Sequence, residues 1–193
     1  TAAVMLAGLM NALKVVGKTK DPVKISMIGA GAANIAVSRI LIAAGFPADH
    51  LIMVDTKGIL HQGRDDLRTP ENSIKWHLCE ISNGEGRTGG IPEAMQGTDV
   101  CIALSRPDPG LIQPAWVASM AKDAIVFACA NPLPEIWPWE AKDAGARVVA
   151  TGRSDFANQV NNALGFPAIF RGVLDVEATK ITDEMCIAAA EEL

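Results

Sequence analysis

Two rhythms of apolar residues alternate along the chain. Leu6, Leu9, Met10, Leu13 and Val16 recur at the helical period with Asn11 and Lys14 turned away, which predicts a helix over 2–16 stopped by Gly17. From Val23 the spacing tightens into a short run (Val23, Ile25, Met27, Ile28) that ends at Gly29-Ala30-Gly31. Ile35, Val37, Ile40, Leu41 and Ala44 then resume the helical period at once, and Gly45 closes that helix. Phe46-Pro47 leads into a second strand, Leu51 to Asp55. Strand, helix, strand in this order forces a parallel pair joined by a right-handed crossover.

Residues 56–98 are less regular. Lys57-Gly58, Gln62-Gly63-Arg64 and the glycine-rich stretch 84–90 read as loops. Ile74, His77, Leu78 and Ile81 predict a helix near 71–81, with His77 packed into the core. Arg64-Asp65-Asp66 reads as a solvated turn rather than a metal site, because no further ligand follows at suitable spacing. Strands are expected at 99–105, 124–130 and 147–150, and short helices at 114–121 and 139–144. Trp137-Pro138-Trp139 is assigned to packing or a subunit contact. Thr182 caps a terminal helix whose first turn carries Asp183 and Glu184. The alternation predicts one α/β domain, a doubly wound and mainly parallel sheet, over residues 1–193.

Such sheets bind ligands beyond the carboxyl ends of their strands. Those ends are Gly29, Asp55, Ser105, Asn131 and Thr151, expected to line one crevice. The turn from Gly29 to Ala32 has the form of a phosphate grip: Gly29 allows the sharp bend, and Gly31 lacks the Cβ that would hold a diphosphate off the backbone. Asn34 stands where a third glycine is usual, so helix and strand are expected to pack less closely there. Asp55, 24 residues after Gly31, is positioned to accept hydrogen bonds from a ribose. We take Ser105 as a further cofactor contact. Asn131, before Pro132, and the amide cluster at 158–162 suit a carboxylate or a carboxamide, or else merely cap turns.

Composition narrows the picture. A net charge of −5 without any basic run argues against nucleic acid, and no apolar stretch is long enough to span a membrane. The four scattered cysteines and three histidines argue against zinc and for a reducing cytoplasm. The opening Thr1-Ala-Ala-Val and the lack of any tyrosine read as a piece of something longer.

Several motifs together resemble malic enzyme, most closely its compact bacterial type. They are the Thr1 opening and its helix, Gly-Ala-Gly-Ala-Ala at 29–33, Met-Val-Asp-Thr-Lys-Gly at 53–58 and Ala-Asn-Pro-Leu-Pro-Glu at 130–135. Val-Ala-Thr-Gly-Arg-Ser-Asp at 149–155, the segment 158–167 and Phe-Arg-Gly-Val-Leu-Asp at 170–175 complete the set. The resemblance implies oxidative decarboxylation of malate to pyruvate and CO2 with NAD or NADP and Mg2+ or Mn2+. It implies that Gly29, Ala30, Gly31 and Ala32 hold the pyrophosphate and Asp55 the ribose, with Asn131 and Asn162 at malate and the nicotinamide end.

The lysine base, tyrosine acid and metal carboxylates that the family uses belong to an N-terminal domain outside these residues. The segment alone is therefore expected to bind the dinucleotide weakly without turnover, its own N-terminal domain and a homo-oligomer being the implied partners. Asp55 should repel a 2′-phosphate and favour NAD slightly, whereas Lys57 would pair with that phosphate. Two other readings stay open: the cofactor domain of an amino-acid dehydrogenase, and a module that senses dinucleotide without chemistry.

Overall fold

In the computed structural model, which describes all 193 residues, six strands form one sheet in the order β3-β2-β1-β4-β5-β6. These are β1 (Ile25–Ile28), β2 (Leu51–Asp55), β3 (Gly58–Ile59), β4 (Val100–Ala103), β5 (Ile125–Ala128) and β6 (Val148–Thr151). All neighbours run parallel except β3, a two-residue edge strand that folds back antiparallel on β2. The predicted doubly wound sheet is thus present, with one antiparallel edge that the apolar pattern does not predict.

Strand sides alternate between two cores, as a sheet covered on both faces requires. Ile25, Met27, Leu51, Met53, Val100, Ile102, Ile125 and Phe127 pack with α1 (Ala2–Val16), α2 (Ala32–Ala43), α3 (Ser73–Ile81) and Ala190 of α8 (Asp183–Glu192). Ile28, Ile52, Val54, Cys101, Ala103, Val126 and Ala128 face the opposite way. They meet α4 (Ile91–Met95), α5 (Pro114–Ala118) and α6 (Pro138–Asp143). Each fully buried side chain of this kind contributes about 2 kcal/mol of transfer free energy. Gly17, at φ 67, ends α1 with its N–H on the carbonyls of Leu13 and Lys14, the left-handed stop expected of it.

Three local expectations are corrected. His77 is not packed: its side chain is 65% exposed, because α3 buries only Leu78 and Cys79. Arg64 is buried although Asp65 is solvated, so the 64–66 turn is only partly a surface feature. Asn34 does not loosen the first crossover; it is fully buried, and its amide donates to the carbonyls of Ile28 (3.0 Å) and Gly29 (2.8 Å). Those two bonds tie the first turn of α2 to the end of β1, doing by hydrogen bonding what a third glycine does by close approach.

Helices α4 and α7 (Phe166–Asp175) lie outside the helices that the sequence pattern predicts. No residue of α7 is buried, and Phe166, Phe170 and Leu174 stand 57%, 45% and 63% exposed. Trp137 and Trp139 stack with centroids 5.0 Å apart and Phe156 meets both edge-on, an aromatic packing cluster. No helix is long and apolar enough to cross a membrane.

Candidate dinucleotide site

The carboxyl ends of β1, β2 and β4 open on a cavity of about 880 Å³. Gly29, Ala30 and Gly31 form one wall, Asp55 and Lys57 a second, and Ser105 and Arg106 a third. The two glycines are there for different reasons. Gly29 has φ 100, and a Cβ on it would stand 2.9 Å from the carbonyl oxygen of Leu104, so the fold itself needs glycine. Gly31 has φ −86 and ψ 177, backbone that any residue adopts, and a Cβ there would meet nothing within 4 Å. Packing gives no reason for glycine at 31; the open cavity in front of it does.

Gly31 is also the residue that caps α2. No side chain caps that helix and no acid sits in its first turn, so its leading N–H groups remain available to an anion. Lys57, Arg64, Lys75 and Arg106 line the cavity against the single carboxylate of Asp55. Free helix amides and a glycine-lined approach fit a diphosphate.

At the β2 end, the Arg64 guanidinium donates to both oxygens of Asp55 (3.1 and 3.0 Å) and both of Asp66 (2.8 and 3.1 Å). The Lys57 N–H also donates to Asp55, at 2.8 Å. Burial alone would raise the Asp55 pKa, but the hydrogen bonds from Arg64 and the Lys57 amide, with the charges of Arg64 and Lys75, hold it below 3.8. Arg64 carries no sequence signal of this role, since its partner lies nine residues away across a strand turn.

A second cavity of about 600 Å³ adjoins the first, with Leu104 in the lining of both. It holds Asn131, Asn162, Cys129, Arg153 and Asp155. Arg153 is pinned by Asp155 (2.8 and 2.7 Å) and by the Pro132 carbonyl (2.8 Å), and the Asn131–Pro132 peptide is cis. In the amide cluster, Asn158 donates to the Val149 carbonyl and Asn161 to that of Gly152; these two secure turns. Asn162 keeps its side chain for the cavity.

The expected single crevice is therefore two adjoining cavities. Gly29, Ala30, Gly31, Asp55, Lys57 and Ser105 line the first, and Asn131 and Asn162 the second. Ala32 lines neither, being turned to solvent on the first turn of α2, and Thr151 is buried beneath.

A family profile described as "Malic enzyme, NAD binding domain" matches residues 1–193. The chain belongs to the malic enzyme family. It is 46% identical over 193 residues to the bifunctional malic/malolactic enzyme of Bacillus subtilis, covering 100% of this chain and 45% of that one. It is likewise 46% identical to the NAD-dependent malic enzyme of Geobacillus stearothermophilus, covering 100% of this chain and 38% of the relative. The NADP-dependent malic enzyme of Halomonas elongata is 44% identical, with 100% and 44% covered. The malic enzyme structure from Entamoeba histolytica superposes with a TM-score of 0.96 at 49% identity, covering 100% of this chain and 40% of that one. That from Pyrococcus horikoshii gives 0.92 at 51%, with 98% and 44% covered. The chain thus spans less than half the length of these malic enzymes.

Malic enzyme chemistry implies a divalent ion, yet this chain gathers no group of three or more His, Cys, Asp or Glu side chains able to hold one. The nicotinamide dinucleotide, by contrast, fits the residues present, as the open space over Gly31 indicates.

Proposed function

We propose that this chain is the dinucleotide-holding half of an NAD(P)-dependent enzyme that oxidises and decarboxylates malate to pyruvate and CO2. The observation that carries the reading is Gly31, a glycine which the backbone does not require and whose missing Cβ leaves room at the uncapped start of α2. Gly29 to Gly31 and the α2 amides bind the diphosphate, and the Asp55 region receives the adenosine ribose. The bound dinucleotide supplies the hydride acceptor. Asn131 and Asn162 orient malate beside it, their amides donating to carboxylate oxygens without adding charge. A polar cavity of about 600 Å³ next to the dinucleotide cavity supports an enzyme over a pure sensor, because a sensor needs no room for a second small molecule.

The proton-transferring residues and the metal ligands belong, in this reading, to a further domain of the longer protein. The bare apolar face of α7 supports this, since Phe166, Phe170 and Leu174 leave a surface suited to docking that domain. We assign the protein to a reducing cytoplasm, as a homo-oligomer, with its four cysteines as free thiols.

The test is initial-rate kinetics of malate-dependent NAD(P)H formation by the longer protein. Asn131→Ala and Asn162→Ala should each raise the malate KM about 10-fold or more while the dinucleotide KM moves less than about threefold. Equal rises in both constants, or in neither, would overturn the assignment.

A further inference from the structure

Glu135 is the one fully buried carboxylate of the chain. It lies beyond β5 in the loop that carries Asn131, and no lysine or arginine pairs with it. A buried charge without a cation is costly unless its lone pairs are met by fixed donors. Here each oxygen has one: Oε1 accepts the Ser105 N–H at 2.8 Å and Oε2 the Ala130 N–H at 3.1 Å. Its own carbonyl accepts the Ile112 N–H at 3.1 Å. Ser105 is a wall of the first cavity, and Ala130 immediately precedes Asn131 in the second. One carboxylate therefore bridges the exits of β4 and β5, the two strands whose ends meet where the cavities adjoin. Two backbone donors arriving on separate oxygens need two acceptors. A glutamine has only one and would turn an NH2 group toward the other N–H.

We propose that Glu135 is a positioning residue for the reaction: by locking Ser105 to Ala130 it fixes the Asn131 carboxamide in register with the nicotinamide end of the cofactor. This rests on the assignment of Asn131 to malate. The carboxylate touches neither substrate nor cofactor, and acts only through the distance it sets between the two walls. A misplacement of a fraction of an ångström at such a contact affects turnover more than it affects affinity for the diphosphate, which is held at Gly31.

The experiment is a double-mutant cycle in the malate-oxidising longer protein with E135Q, N131A and the pair. E135Q should lower kcat/KM for malate by about 10-fold or more, with dinucleotide Kd within about threefold of wild type. If Glu135 acts through Asn131, adding E135Q to N131A should cost no more than about twofold further. Additive losses would overturn the proposal, as would a dinucleotide Kd that falls away in step with turnover. Should E135Q not fold, amide hydrogen exchange of the wild type decides: the Ser105 N–H, on an exposed residue, should exchange about 100-fold or more slower than the neighbouring Arg106 N–H. Equal rates would overturn it. A wild type inactive with malate sinks the functional assignment itself, whereas an active wild type indifferent to E135Q sinks only the role of Glu135.

Discussion

The guanidinium of Arg64 meets the carboxylate of Asp55 in two parallel N–H···O bonds of 3.1 and 3.0 Å, in the wall of the same cavity that contains Gly31. With the Lys57 amide also donating to Oδ1, most of the Asp55 acceptor capacity is used within the protein. A ribose held at this end, as we propose, would meet a carboxylate already engaged and already compensated in charge, where the simple fingerprint leads one to expect a free one.

That compensation has a consequence for cofactor choice. With Arg64 on Asp55, and Lys57 on Asp66 at 3.0 Å, the negative charge facing a 2′-phosphate is largely cancelled. Arg64→Gln should uncover Asp55 and lower the NADP-to-NAD affinity ratio by about 10-fold, and Lys57→Ala should lower it by a smaller factor. Calorimetric titration of both dinucleotides measures it, and a ratio untouched by Arg64→Gln would exclude the pair from discrimination.

Arg64→Gln should also destabilise the fold by about 3 kcal/mol, because it strands Asp55 in a mostly buried wall. Urea unfolding of wild type and variant tests this, an unchanged midpoint being the contrary result.

The pH dependence follows from the sign of the Asp55 shift. Its folded pKa lies below 3.8, so the stability that it contributes is complete above the unfolded value and is lost as pH falls through the folded one. The stability difference between wild type and Asp55→Asn should be flat at neutral pH and shrink below about pH 4. Glu135 carries the opposite sign: burial raises its pKa above 4.5 despite the bonds from Ser105 and Ala130, so its ionisation opposes folding as pH rises. A difference for Asp55→Asn that is constant from pH 3 to 7 would contradict this account.

Two glycines two residues apart should behave oppositely. Gly29→Ala places a Cβ 2.9 Å from the Leu104 oxygen at φ 100 and should cost about 2–3 kcal/mol of stability. Gly31→Ala should leave stability within about 0.5 kcal/mol. Thermal unfolding of the pair checks it; equal losses would mean that Gly31 has a structural duty that the backbone does not reveal.

Much of this was readable in advance, for identifiable reasons. β1, α2 and β2 are each announced by an apolar period and a glycine stop, both local signals. Helix α7 was not, because Gly165 and Pro167 imitate a loop and no residue of the helix is buried, so its apolar positions do not stand out as a core face. His77 shows the converse: helical spacing put it on the apolar side of α3, yet nothing packs over that position. Arg64 was illegible because the burial of a charged side chain depends on a partner brought near only by the β2-β3 turn. The diphosphate wall was legible and the division into two cavities was not, since the latter depends on where Leu104 stands between strand ends.

The central claim is that the α2 amides grip a diphosphate across the bare Cα of Gly31. Isothermal titration of NAD and NADP into the wild type and Gly31→Val tests it most directly. The account predicts binding to the wild type and a loss of about 30-fold or more in the folded variant, because the valine side chain would fill the space where the phosphates lie. Undiminished dinucleotide affinity in a folded Gly31→Val protein would contradict it.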